Sequence, residues 1–147
     1  MIRLSTKGRY AVRILVRIAL ADDATKPSRK QDIARAEGIS AHYVEQILMK
    51  LKTAGLVRSF RGTKGGFTLE KSPDKITVAK VLNVTEGSLS LAPCFTEGCS
   101  RIPICTTRAM WKKAGDALNS IFSETTVADL ANEARSHAGG KTLTFEI

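Results

Sequence analysis

The apolar positions of the first fifty residues form helical repeats separated by clear punctuation. Over residues 6–21, Ala11, Leu15 and Ile18 recur at spacings of three and four, flanked by Val12, Val16 and Ala19. That is the period of an amphipathic helix, with Thr6 as its expected cap. Asp22, Asp23 and Pro27 mark a turn, after which Ser28 is placed to cap a short helix over 29–37 that Gly38 ends. Ser40 is placed to cap a third helix over about 41–54, ended by Gly55. On this helix Val44, Ile47, Leu48 and Leu51 share a narrow arc that points to a core. The opposite arc carries His42, Gln46, Met49, Lys50 and Thr53, with Tyr43 and Glu45 on its flanks.

The period then changes. Leu56–Phe60 and Phe67–Leu69 are short β-prone runs on either side of Arg61-Gly62-Thr63-Lys64-Gly65-Gly66. This predicts a hairpin with Arg61 and Lys64 at its tip, its glycines allowing positive φ in the turn. A phosphate-binding loop is not indicated, because no Gly-Lys-Ser/Thr follows at the required spacing. Three helices followed by a basic-tipped hairpin is the order of a winged helix-turn-helix. The predicted fold class is therefore mainly α with a small β-hairpin wing.

Residues 71–76 connect to a fourth helix from Thr77, with Val78, Val81 and Leu82 inward and Gly87 as its stop. Residues 88–104 show no period and contain Pro93, Gly98 and Pro103. A loop of this length is uncommon in a compact domain and is itself a pointer to function. A long helix follows from 106 to about 123, with Met110, Ala114, Ala117 and Ile121 in one stripe, widened by Trp111, Leu118 and Phe122. The earlier helices already supply a core, so a partner chain is the expected cover for this stripe. Folding back on its own core is the alternative. Thr126-Val127-Ala128-Asp129 has the form of a capping box and opens a last short helix to about Arg135. The expected division is a DNA-binding part over 1–75, a loop and dimerisation helices over 76–135, and a flexible tail over 136–147.

Charge sharpens this division. The 147 residues include 23 Lys+Arg and 14 Asp+Glu, a formal net charge of +9. Residues 1–75 hold 16 basic and 7 acidic side chains, and residues 76–147 hold 7 of each, so the whole surplus lies in the first half. Such a half-chain suits an anionic partner, nucleic acid first and membrane surface second. A solvated basic face, or a module that meets an acidic protein, is the alternative. The longest apolar run is Ile18–Ala21, far short of a membrane span, and Arg9, Arg13 and Arg17 break any signal-peptide core. The expected location is the cytoplasm.

The candidate chemistry lies in Cys94-x4-Cys99-x5-Cys105. Three clustered thiols in a cytosolic protein suit a metal, redox or catalytic role better than a disulfide framework. Thiolates bind soft metals and iron–sulfur clusters. The spacing lacks the paired Cys-x2-Cys of zinc ribbons, which disfavours structural zinc. Thiol redox sensing and unligated cysteines remain open. A cysteine hydrolase needs a nearby histidine base, and only His42 and His137 exist, far from the loop in the expected fold. An enzyme is not expected.

Several segments together resemble the IscR/NsrR/RirA-type winged-helix transcription regulators. They are Leu4–Val12, Gly38-Ile39-Ser40 with Tyr43, Glu45 and Gln46, Leu51 with Gly55-Leu56-Val57, Arg61-Gly62 with Gly65-Gly66-Phe67 and Leu69, and the cysteine loop followed by Ala109-Met110-Trp111. The resemblance covers about residues 1–134. It implies a homodimer joined through the long helix, operator binding by the third helix and the wing, and an iron–sulfur cluster held by Cys94, Cys99 and Cys105. A [2Fe–2S] cluster is taken ahead of a [4Fe–4S] one.

In that setting His42, Tyr43 and Gln46 would read base edges, Glu45 would accept from cytosine, and Ser40 would start the helix that carries them. Ser5, Lys7, Arg9 and Lys50 would hold phosphates, and Arg61 and Lys64 would reach a minor groove or phosphates. Two positions depart from the pattern. Arg108 stands where IscR-like members place a histidine, and Arg9 where some NsrR-like members place an acid. The fourth ligand is thereby unassigned, with Glu97, Thr106, Thr107 or a small exogenous ligand as candidates.

Overall fold

A computed structural model describes residues 4–21 and 26–139. Its centre is α1 (Thr6–Leu20), whose Ala11, Ile14, Leu15, Ile18 and Ala19 are buried. The cap of α1 is Ser5 and not Thr6: the Ser5 hydroxyl accepts from the Gly8 N–H at 3.1 Å. That bond satisfies one of the orphan donors of the first turn.

The second and third helices are α2 (Lys30–Glu37) and α3 (Ala41–Thr53). Gly38 ends α2 at φ 67°, a left-handed turn that glycine adopts without a Cβ penalty. Ser40 caps α3 through the Tyr43 N–H at 3.1 Å, and Val44, Ile47, Leu48 and Leu51 are fully buried, as the pattern predicts. Ser28 departs from expectation. It makes no cap; the first position of α2 is flanked by Arg29, which forms no side-chain cap bond. Ser28 instead exchanges backbone hydrogen bonds with Phe67 at 2.9 and 2.8 Å, a one-residue antiparallel bridge on the outer edge of the wing's second strand.

The wing pairs β1 (Val57–Phe60) antiparallel to β2 (Gly66–Leu69), from Val57↔Leu69 to Phe60↔Gly66. Its glycines serve two different ends. Gly62 takes φ 102° in the turn. Gly65 and Gly66 have ordinary φ but leave no room for a Cβ, which would collide with the Phe60 carbonyl and the Ser28 backbone respectively.

The remaining helices are α4 (Val78–Glu86), α5 (Arg108–Glu124) and α6 (Val127–Gly139). Thr77 caps α4 through the Lys80 N–H at 3.3 Å. The Thr126–Asp129 box forms as predicted, with Asp129 accepting from Thr126 N–H at 2.8 Å and Thr126 Oγ1 from Asp129 N–H at 3.1 Å. The Thr126 hydroxyl, which donates to Asp129 Oδ2 at 2.6 Å, and then the Thr126 N–H hold the Asp129 carboxyl below its usual range. The α6 helix runs past Arg135 to Gly139; the rest of the expected tail lies outside the described residues. Ile76, Val81, Val127 and Ala131 pack in one cluster with the apolar faces of α1, α2 and α3. The chain therefore leaves this core after α4 and re-enters it at α6.

Candidate nucleic-acid interface and cysteine segment

The polar face of α3 is organised by its own neighbours. His42 and Gln46, one helical turn apart, stand 3.0 Å apart between His42 Nε2 and Gln46 Nε2, both exposed. Glu45 accepts from Lys30 Nζ at 2.9 Å, and this hydrogen bond, with the Lys30 charge, holds its carboxyl below the usual range. Tyr43 is half-buried and meets Tyr10 of α1 edge-on, ring centroids 6.1 Å apart. Lys50 is exposed one turn further along.

At the start of α1, Ser5 caps the helix and also donates to Glu86 of α4. Lys7 is half-buried; Arg9 is exposed and lines a shallow hollow with Leu4, Ser5, Thr6 and Glu86. Arg61 and Lys64 are exposed at the wing tip. Arg29 donates to the Thr63 carbonyl, and Lys52 donates to Ser59 Oγ at 2.7 Å, so a cation just before α2 and one on α3 brace the hairpin.

The basic surplus is thus partly spent internally. Glu37, with its side chain 4% exposed, accepts from Arg13 Nε at 2.6 Å and Arg17 Nε at 3.1 Å. The periodicity of α1 gives no hint of this clamp. One signal was available: Glu37 ends its helix just before Gly38, where the dipole disfavours an acid and a cationic partner is needed. Arg58 likewise faces Glu70 at 3.8 Å across the wing.

The expected loop contains two 3-10 turns, Pro93–Phe95 and Ile102–Ile104, and α5 begins two residues later than its pattern suggests. Cys94, Cys99 and Cys105 are all free; Cys94 is half-buried and the other two are exposed. The Arg101 N–H donates to Cys99 Sγ at 3.4 Å. Cys105 Sγ lies 3.6 Å from Thr107 Oγ1. That hydroxyl, the backbone N–H groups of Thr107 and Arg108, and the Arg108 charge pull the Cys105 thiol below its usual range. Arg108 donates from Nη1 to the Cys94 carbonyl at 3.3 Å and lies over the Phe95 ring at 4.6 Å.

Among the described residues, no group of three or more His, Cys, Asp or Glu side chains is gathered to hold a metal ion. The donor set fits an iron–sulfur group in kind, three thiols on one segment, without being gathered around one. No buried residue lies on α5, where Met110, Trp111 and Ile121 are 52%, 42% and 57% exposed. No described helix is long and apolar enough to cross a membrane.

A capped helix with a polar outer face, set beside a two-stranded wing on a helical core, defines a winged-helix DNA-binding transcriptional regulator. The chain belongs to the Rrf2 family, described as an iron-dependent transcriptional regulator, whose pattern matches residues 4–133. It is 36% identical over 131 residues to the HTH-type transcriptional regulator IscR of Escherichia coli, spanning 88% of this chain and 80% of that one. Among solved structures, CymR (YrzC), the global cysteine regulator of B. subtilis, matches with a TM-score of 0.79 and 34% identity over 90% of this chain and 98% of that one. T. potens IscR matches with a TM-score of 0.75 and 29% identity over 92% and 90%. The E. coli IscR and the B. subtilis CymR are both described as regulators.

Proposed function

We propose that this regulator binds a double-stranded operator as a homodimer, and that an iron–sulfur cluster on Cys94, Cys99 and Cys105 sets its DNA affinity. One observation carries the reading. Three free thiols occupy the segment between α4, which packs into the winged core, and α5, whose apolar stripe is uncovered. Membership of a family described as iron-dependent and likeness to IscR support it.

The tasks of the chain follow from this reading. His42, Tyr43, Glu45 and Gln46 face base edges in the major groove, carried by a helix that Ser40 caps. Ser5, Lys7, Arg9 and Lys50 face phosphates, and Arg61 and Lys64 reach the minor groove or its flanking phosphates. Met110, Ala114, Ala117 and Ile121 pair with the same stripe of a second copy. When bound, the cluster supplies one-electron redox chemistry and a target for oxidants, nitric oxide or iron loss. A [2Fe–2S] form is proposed ahead of [4Fe–4S], with a fourth donor from Glu97, Thr106, Thr107 or an exogenous ligand. Functionally, residues 1–75 bind DNA, 76–135 sense and dimerise, and the protein works in the cytoplasm. A coupling of ~1–3 kcal/mol between segment and operator changes affinity ~5–150-fold.

Anaerobic purification with iron, sulfide and Mössbauer analysis tests the cluster. Iron and sulfide in matching amounts are expected, and Cys94→Ala, Cys99→Ala and Cys105→Ala each abolish them. A colourless, iron-free anaerobic preparation overturns the cluster. A second reading, sensing through bare thiols, then stands. Its own support is the lowered Cys105 thiol and the likeness to a global cysteine regulator.

A further inference from the structure

The segment Cys94–Cys105 has local structure but little anchorage. Phe95, Thr96 and Glu97 donate their N–H groups to Ala92 and Pro93, Ile102 to Cys99, and Ile104 to Arg101, each within four residues of its acceptor. Residues 96 to 107 are exposed throughout. Against that background one residue reaches across the whole segment. The Arg108 guanidinium spans 14 positions to the Cys94 carbonyl and stacks on the adjacent Phe95 ring.

We propose that Arg108 is a positioning residue that closes the cysteine segment, its side chain holding the Cys94 turn against the start of α5, three residues beyond Cys105. Arginine suits this task. Its planar guanidinium can donate to a carbonyl while its face lies on an aromatic ring, and its charge is permanent. It has no lone pair free for a metal, so it does not supply the fourth donor. Its effect is instead to remove part of the loop-closure freedom between the first and last thiols before a ligand arrives. It also sets a fixed positive charge beside groups that bind as thiolates.

The inference deepens the cluster reading above, and it is tested on a state that needs no cluster. The full chain, reduced and metal-free, is pulsed with iodoacetamide as wild type, Arg108→Gln and Arg108→Lys, and each thiol is followed by peptide mass spectrometry. Releasing the turn exposes the half-buried Cys94, so Arg108→Gln is expected to raise its alkylation rate about threefold or more. Cys99, held by its own local contact, stays within error of wild type. Arg108→Lys, which keeps the charge and a donor, restores part of the protection. Amide exchange at residues 95–97 accelerates in the same order. An unchanged Cys94 rate, or an equal rise at Cys94 and Cys99, overturns the proposal. Thermal unfolding of each variant identifies any general loss of fold. If anaerobic wild-type protein takes up no iron, the cluster reading fails, while the closure by Arg108 is still judged on the alkylation rates alone.

Discussion

Ser5 donates its hydroxyl proton to the carboxylate of Glu86 while accepting the N–H of Gly8, so the start of α1 is tied to the end of α4. The tie leaves no space at Gly8, where an added Cβ would collide with Glu86 Oε1 and crowd Leu82. It also sets an acidic group beside Ser5 and Arg9, both proposed to face DNA phosphates. Replacing Glu86 by Gln removes a like charge while keeping an acceptor for Ser5. Operator affinity at moderate salt is expected to rise about threefold to tenfold in a gel-shift titration. An affinity equal to or below wild type, at an unchanged melting temperature, refutes the phosphate assignment of this corner. Gly8→Ala displaces the Glu86 carboxylate and so breaks its bond to Ser5.

The Glu37 clamp predicts an asymmetry. Arg13 and Arg17 are half-exposed and return to water easily when Glu37 is replaced by Gln, so the loss is about 1–2 kcal/mol in urea unfolding. Replacing both arginines by Met leaves a buried carboxylate without a cation and costs more, about 3 kcal/mol. Equal losses from the two changes count against the clamp.

Glu45 gives a pH signature. Its carboxyl is lowered from an ordinary value of 4.5 by the Lys30 hydrogen bond and charge. A carboxylate lowered on folding stabilises the fold above its ordinary value, and that contribution disappears as pH falls through the lowered one. Carbon-detected NMR titration is expected to find Glu45 below 4.5, and Lys30→Met to move it upward. No movement in that variant removes Lys30 as the cause. Freed from its lysine, Glu45 also repels phosphate more strongly, and Lys30→Met weakens operator binding.

The uncovered stripe of α5 predicts self-association. Ile121, 57% exposed in the single chain, is expected to lie in the seam. Ile121→Lys then yields monomers in analytical ultracentrifugation at micromolar concentration, while the α-helical signal is retained. A variant that sediments as wild type places the seam elsewhere.

The elements were readable where a residue's role is local. The buried arc Val44, Ile47, Leu48 and Leu51, the cap at Ser40, the stop at Gly38 and the box at Thr126–Asp129 each follow from spacing within a few positions. Ser28 was misread for a complementary reason: its partner Phe67 lies far along the chain, and backbone pairing to the wing outweighed the local capping preference. The Lys30–Glu45 and Arg13–Glu37 pairs are hidden in the same way: the end of α2 signals that Glu37 needs a cation, but nothing local says which one. At the cysteines, the candidate chemistry follows from residue type, but the Arg108–Cys94 bond needs the fold that brings position 108 back to 94.

The return of α6 to the core gives the cysteine segment a mechanical setting. Val78 N–H bonds the Thr125 carbonyl at 2.9 Å, and Thr77 pairs with Thr126, so α4 and α5 are clasped at their base. The nine residues of α4 rise ~13 Å from that clasp and the seventeen of α5 span ~25 Å. The thiols therefore lie on the segment that joins the far ends of two helices clasped at their base. Glu86 closes α4 at that end, and through its bond to Ser5 the cysteine-bearing segment is joined to the start of α1.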